Sequence, residues 1–296
     1  MGRGPRGAAR QRAAPQVAGR HREAAGAGDD LGARRGKYPA AIPEDPVKIA
    51  FIHAHPDDET LATGALIAWL VTSGHEVSLL TATRGERGEV VPGPLSHLAG
   101  TPALETHREG ELAGALKVLG VSRHAFLGDP PAGSGRRYRD SGMRWIREGL
   151  AGPAEDAEPD SLCAADLDDV VADIASWIRT VDADLVVSYH TDGGYGHPDH
   201  VRIHHASLAA AQRTGKGFAA VVHDPGDGVR WFNLRDLQPT VEEALRHHAS
   251  QLTAHGDGTL THSGGQSEAV TTSVGLLPAP ETPPAAGLVD SLAGTG

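Results

Sequence analysis

Ala50-Phe51-Ile52-His53-Ala54-His55-Pro56-Asp57-Asp58-Glu59-Thr60 is the stretch on which the reading of the chain turns. An apolar run, Val47 to Ile52, ends in two histidines and three consecutive acids, and a helical pattern follows at once. Such a run reads as a buried strand that delivers polar groups to its C-terminal edge, where open α/β sheets bind ligands. Histidine and aspartate crowded together without Lys or Arg among them need a cation, and Zn²⁺ accepts both nitrogen and oxygen donors. A second cluster far along the chain, Tyr189-His190-Thr191-Asp192-Gly193-Gly194-Tyr195-Gly196-His197-Pro198-Asp199-His200, repeats the pattern after the apolar run Leu185 to Val187. The pair of segments reads as the two halves of one metal-dependent hydrolase site.

Working outward, a helix is expected from Glu59 to Ser73, with Gly74 as its left-handed stop, and a second strand from Val77 to Ala82. That completes a βαβ unit, the signature of a parallel sheet. The polar loop Thr83 to Glu89 should line the same sheet edge. Further helices are expected at 103–119, 166–179, 200–212 and 241–254. Short strands are expected at 125–127 and 185–188, with 219–222 and 229–232 forming a small edge sheet or hairpin. Gly128 to Asp160, rich in Pro and Gly, reads as a long substrate-covering loop in which Met143 and Trp145 offer apolar surface and Asp140 a polar anchor. The fold class is therefore α/β: a Rossmann-like, mostly parallel sheet flanked by helices, with a smaller C-terminal strand-helix portion. Residues 1–40 read as a disordered basic tail, residues 41–256 as the catalytic domain, and residues 257–296 as a low-complexity disordered tail.

Composition narrows the classes. The formal charge is −11, yet residues 1–40 hold nine Lys/Arg against three acids, so the body is strongly acidic and nucleic acid is not its expected partner. No apolar stretch approaches the roughly 20 residues of a bilayer span, so no membrane partner is expected. A single cysteine, Cys163, excludes an intrachain disulfide framework and points to a cytoplasmic setting. There is no GxGxxG after a strand, no Walker A lysine and no GxSxG elbow. Cys163 lies in an acidic stretch without a neighbouring His, so it reads as an ordinary thiol, and covalent catalysis is not expected. A non-catalytic sugar-binding protein and a nucleic-acid protein acting through the basic head are the readings from other classes.

The residue types suggest roles. His55 and Asp58, three apart around Pro56, share one side of the first helical turn, and His200 is the third metal ligand. Two imidazoles and one carboxylate leave room for water. Asp57 is the spare carboxylate and the candidate general base, with Glu59 as competitor or as a partner of the helix dipole. His53 reads as a packing group behind the ligands. His197 is then free to face the substrate as an oxyanion or leaving-group partner, oriented by Asp199, which would raise its pKa, with Tyr195 adding a hydroxyl. Spacing alone equally permits His197 to ligate and His200 to pack. Fe²⁺ fits the same donors as Zn²⁺.

The AHPDDE run (Ala54 to Glu59) and the GHPDH run (Gly196 to His200) together resemble the LmbE-like, or PIG-L, family of zinc-dependent N-acetylglucosamine deacetylases, over about residues 47–255. Within it the chain resembles the actinobacterial mycothiol branch, which comprises N-acetylglucosaminyl-inositol deacetylases and S-conjugate amidases. The supporting runs are Thr83 to Glu89, Tyr138 to Met143 and Gly193 to His197. The resemblance implies zinc on His55, Asp58 and His200, Asp57 as base, and His197 near Tyr195 at the oxyanion. It further implies Arg108 and Asp140 on the sugar and inositol hydroxyls, with Met143 lining that pocket. The implied reaction is hydrolysis of a linear amide C–N bond in a small N-acetyl amino-sugar substrate. The S-conjugate amidase reaction and deacetylation of a natural-product amino sugar are the alternatives. Two departures bear on the substrate: Arg84 and Arg87 add positive charge to the motif loop, and the region after Gln251 does not resemble the family's C-terminal strands.

Overall fold

The computed structural model describes residues 46–147 and 149–292 of the chain. The expected basic tail, residues 1–40, lies outside the described residues. In chain order the elements are β1 (Lys48–His53), α1 (Asp58–Thr72), β2 (Glu76–Thr81), α2 (Ala103–Leu119), β3 (Arg123–Phe126), β4 (Met143–Arg147) and β5 (Leu150–Pro153). Then come α3 (Leu167–Val181), β6 (Leu185–Tyr189), a single distorted turn α4 (Gly193–Gly196), α5 (Pro198–Thr214), β7 (Gly217–Val222), β8 (Arg230–Asn233) and α6 (Gln238–Leu245). The chain continues through β9 (Leu252–Ala254), β10 (Thr259–His262), β11 (Ser267–Ala269), β12 (Ser273–Pro278) and α7 (Pro284–Leu292).

Seven strands form the central sheet in the order β3-β2-β1-β6-β7-β12-β8. The first five run parallel, and β12 is antiparallel to both β7 and β8. Alternation along β1 explains the three layers. Ile49 and Phe51 join the apolar cluster with residues of α1, α2, α6 and α7, whereas Ala50 and Ile52 join the cluster with α3 and α5. Buried on both faces, the parallel strands carry apolar runs, as in Leu185-Val186-Val187. The chain leaves β1 toward β2 and β3 on one side, while β6 and β7 lie on the other. The carboxyl ends of β1 and β6 therefore flank a switch point, the crevice where this architecture binds ligands.

Four expectations are corrected. The expected helix over 241–254 stops at Leu245, and residues 246–251 turn back into β9; that turn buries His248 and Ser250 completely. The long loop after Gly128 contains the β4–β5 hairpin, and 219–222 belongs to the sheet interior as β7, whose hydrogen-bonded neighbour is β12 rather than β8. The expected tail over 257–296 instead supplies β10, β11, β12 and α7. Val274 and Leu276 are buried in the sheet, and Ala285, Val289 and Leu292 are buried against the same apolar cluster. Short apolar runs suffice there because each is covered on more than one side.

Candidate metal centre and catalytic site

Pro56 ends β1, and Asp57 takes the next position with φ 111° and ψ −34°, a left-handed backbone that is strained for a non-glycine residue. The strain turns the chain sharply into α1, whose first turn opens with Asp58 and Glu59, acids that suit the positive end of the helix dipole. On the other side of the switch point, the loop after β6 ends with His197 as N-cap of α5 and Pro198 in its first turn. Both motifs thus reach the crevice at helix N-termini.

His55, Asp58 and His200 converge. His55 Nδ1 lies 3.2 Å from Asp58 Oδ2 and 3.4 Å from His200 Nε2, and His200 Nε2 lies 3.3 Å from Asp58 Oδ2. A tetrahedral ion with bonds of about 2.0–2.2 Å separates its donors by roughly 3.3–3.5 Å, so the triangle matches such an ion. The outer partners agree. The second nitrogen of each imidazole faces an acceptor: His55 Nε2 faces Asp199 Oδ2 at 3.2 Å, and His200 Nδ1 faces the Gly193 carbonyl at 3.1 Å. Placing the protons there leaves His55 Nδ1 and His200 Nε2 as lone-pair donors toward the centre of the triangle. Tyr189 donates its hydroxyl to Asp58 Oδ2 at 2.7 Å and stacks on the His200 ring at 4.1 Å.

The charge balance also calls for a cation. Among the described residues no Lys or Arg side chain pairs with Asp58, Asp140 or Asp199; their positive neighbours are imidazoles. Burial disfavours charge on His55, yet Asp140, Asp199 and Asp58 outweigh it and hold the ring well above its ordinary pKa. Against the same burial, His200 and His55 hold Asp58 well below the usual carboxylate range. His55, His197 and His200 also gather within 4.8 Å, as do His55, Asp140 and Asp199. The first is a wider arrangement than the triangle. In the second, His55 uses the nitrogen that faces carboxylates, which is better satisfied by a proton than by a shared ion.

Asp57 stays outside the triangle. Burial lifts its carboxyl to about 6 against the pull of Arg108. Arg108 is buried and gives its N–H groups to Asp57 Oδ2 at 3.1 Å, to Gly85 O at 2.7 Å and to the Pro56 carbonyl. Arg108, implied by the resemblance as a contact to substrate hydroxyls, here fastens the Asp57 segment through both Nη atoms. Gly85 (φ +65°) makes this possible, since a Cβ there would lie 1.9 Å from Arg108 Nη1. Glu59, the competing base, is fully buried. It accepts from the Asp57 amide at 2.9 Å and pairs with His248 at 2.9 Å, so it holds the loop and has no opening to substrate.

His197 accepts a hydrogen bond at Nδ1 from the Asp199 backbone N–H, 3.2 Å away. Burial, with His55 and His200 nearby, drops its pKa to about 2. The ring is thus neutral with its proton on Nε2, a fixed donor. Asp199 pulls that pKa upward as expected, but burial and the two neighbouring imidazoles outweigh it; the Asp199 carboxylate itself is engaged by His55, Ser141 N and the Cys163 thiol. Although burial opposes it, the hydrogen bond from His55 keeps Asp199 at about 2. Tyr195 sits beside both imidazoles, its ring 5.9 Å from His197 and 5.3 Å from His200. Asp140 is buried 3.7 Å from His55 Nε2 and accepts from the Arg87 and Gly142 amides. Met143 opens β4 and is half-buried. His53 is the packing group expected, buried and bonded to Thr63 Oγ1 at 3.0 Å. Arg84 pairs with Glu109 and Asp129, and Arg87 with Asp156, so the extra charge of the motif loop is spent inside the protein.

Four contributors were not foreseen: Tyr189, His248, Ser141 and Cys163. Tyr189 opens the second motif and a strand ending there could have singled it out. Ser141 acts through its backbone amide, on which the sequence is silent, and His248 was assigned to a helix that ends earlier.

Comparison with known proteins bears on the family and the fold. Residues 50–211 match the family model described as PIG-L: GlcNAc-PI de-N-acetylase. A 1D-myo-inositol 2-acetamido-2-deoxy-alpha-D-glucopyranoside deacetylase of Kineococcus radiotolerans is 46% identical over 219 residues, 73% of this chain and 59% of the relative. A protein of the same name from Kribbella flavida is 39% identical over 216 residues, 72% of this chain and 68% of the relative. The chain therefore spans about three fifths to two thirds of the length of these relatives. Among solved structures, a deacetylase–bog complex from the teicoplanin biosynthesis pathway shares the fold, with TM-score 0.51 at 21% identity over 79% of this chain and 99% of that one. In sequence motifs, in fold and over more than half its length, the chain belongs to the PIG-L family.

Proposed function

We propose that the chain is a divalent-metal-dependent deacetylase that hydrolyses the acetamide of an N-acetylglucosaminyl glycoside, the inositol glycoside named for its relatives being the leading substrate. The observation that carries the reading is the triangle of His55 Nδ1, Asp58 Oδ2 and His200 Nε2, with edges of 3.2 to 3.4 Å, beside an uncommitted carboxylate on Asp57. Zn²⁺ suits two nitrogens and one oxygen, and Fe²⁺ fits the same set. Bound there, the ion would supply Lewis acidity toward water and the amide carbonyl.

The chain's own residues do the rest. Asp57, fastened by Arg108, takes a proton from water as the water oxygen bonds to the carbonyl carbon. His197 presents its Nε2–H to the oxygen that gains negative charge, joined by the Tyr195 hydroxyl. Because His197 is a neutral donor with Nδ1 already engaged, it is not the source of the leaving-group proton. Asp57 returns the proton it took to the amine as the C–N bond breaks, giving acetate and a free amino sugar. Asp140 and Met143 border the substrate side of the crevice.

The test is acetate release from the inositol glycoside by the zinc-loaded protein, with Asp57→Asn and Asp58→Ala alongside. The reading predicts turnover by the wild type, loss of turnover with retained metal in Asp57→Asn, and loss of metal in Asp58→Ala. Full turnover by Asp57→Asn would refute it.

A further inference from the structure

The two most conspicuous apolar side chains on the surface are neighbours on one hairpin. Trp145 is 52% exposed and Ile146 58%, with Tyr195 next at 37%. They do not form one patch. Successive residues of β4 point to opposite faces, and Ile146 lies over Gly152 of the paired strand, on the side away from the crevice. Trp145 faces the other way, its ring 5.8 Å from that of Tyr195 and inclined at 32°. Met143, two residues back, shares that face.

The hairpin is held over the crevice. A Cβ on Gly196 would lie 2.9 Å from Ala151 O and from Leu150 Cδ1, so β5 rests directly on the turn that precedes His197. Arg144 binds Pro153 O at 3.2 Å and Glu155 at 3.1 Å, and Arg87 ties Asp156 to the motif loop. From the His200 ring to Tyr195 is 5.3 Å and from Tyr195 to Trp145 5.8 Å, two steps leading outward from the metal-binding triangle.

We propose that Trp145, with Met143 beside it and Tyr195 beneath, is a stacking subsite for the second ring of a two-ring substrate. The proposal rests on the deacetylase reading and adds what that reading lacks, a source of selectivity for the glycoside over the simple sugar. A saturated polyol ring presents a C–H face to an aromatic plane and hydroxyls at its edge. Trp145, half exposed on the crevice side of β4 with the exposed Arg147 after it, offers such an apolar face with a polar group near its edge. A flexible alkyl chain would need a continuous apolar groove, whereas Ile146, the other large exposed apolar side chain of the hairpin, lies on the opposite face.

The experiment compares zinc-loaded wild type, Trp145→Ala and Trp145→Phe on N-acetylglucosamine, its methyl glycoside, its inositol glycoside and its octyl glycoside. The expected result is a wild-type preference in kcat/KM for the inositol over the methyl glycoside. Trp145→Ala should cut this preference by roughly two- to tenfold, mainly through KM, and Trp145→Phe should keep most of it. Binding of the inositol glycoside should also shift the tryptophan emission of the wild type but not of Trp145→Phe. An unchanged preference in Trp145→Ala, an equal loss on every substrate, or an octyl glycoside favoured over the inositol glycoside through Trp145 would overturn the subsite. If the wild type releases acetate from none of the four, the function fails instead, and the emission shift still decides whether Trp145 meets the second ring.

Discussion

Replacing His248 by alanine tests how the loop that carries Asp57 is supported. Both His248 and Glu59 have no exposed side-chain surface, and Nε2 lies 2.9 Å from Oε1. Without the imidazole, Glu59 keeps only the Thr60 hydroxyl and the Asp57 amide, and its charge loses its counterion inside the protein. Breaking a buried pair on one side costs about 3–5 kcal/mol. For a domain of this size each kcal/mol moves Tm by about 2–4 °C, so His248→Ala should melt roughly 6–20 °C lower, read by calorimetry or circular dichroism. Adding Glu59→Gln should recover part of the loss, because a neutral amide is less costly to bury. The pH dependence has a definite sign. Burial opposes protonation of His248, but Glu59 raises its pKa above the ordinary 6.5. Its contribution is complete below that value and fades as pH rises through the folded-state pKa. Wild type should lose this increment on the alkaline side, and His248→Ala should not. A melting point within 2 °C of wild type, or a double variant no better than His248→Ala, would refute the account.

Gly85→Ala places a Cβ 1.9 Å from Arg108 Nη1 at a φ of +65°, so the guanidinium must leave Asp57; kcat should fall at least tenfold while stability drops by about 1–3 kcal/mol. Asp57→Asn should lower kcat by roughly a hundredfold or more with metal content unchanged by elemental analysis, since Asp57 is not part of the triangle. Chelation should abolish acetate release and lower Tm, and titrating zinc back should raise Tm with concentration. Burial, reinforced by Asp199, pushes the Cys163 thiol up to about 12, so iodoacetamide at pH 8 should label it far more slowly in the native protein than in guanidinium, as followed by mass spectrometry.

How much of this was legible follows from where each signal resides. The convergence of His55, Asp58 and His200 is legible in the sequence because strand ends, prolines and acids are local features, and two such motifs can meet at a sheet edge. Roles that depend on which way a side chain turns are not. Nothing in the sequence shows that Arg108 bonds the Gly85 and Pro56 carbonyls, or that the Asp199 carboxylate turns to His55 while its amide serves His197. Helix periodicity carried the reading of α6 past Leu245, because nothing in Arg246-His247-His248 announces a buried turn. β12 was missed since Ser273-Val274-Gly275-Leu276-Leu277-Pro278 is short and lies among Gly, Ser and Thr, so its partners, not its composition, make it a strand.

The position of β12 has an outcome for how the molecule is made. β7 and β8 do not touch along the sheet; the strand that joins them is translated some forty residues after β8. Until then the nascent polypeptide carries an open backbone ladder along β7 and an unclaimed ribbon at β8, the sort of edge on which neighbouring chains stick. Assembly on the ribosome can therefore complete the parallel half and the crevice between β1 and β6 early, while sealing of the sheet waits for late-emerging residues.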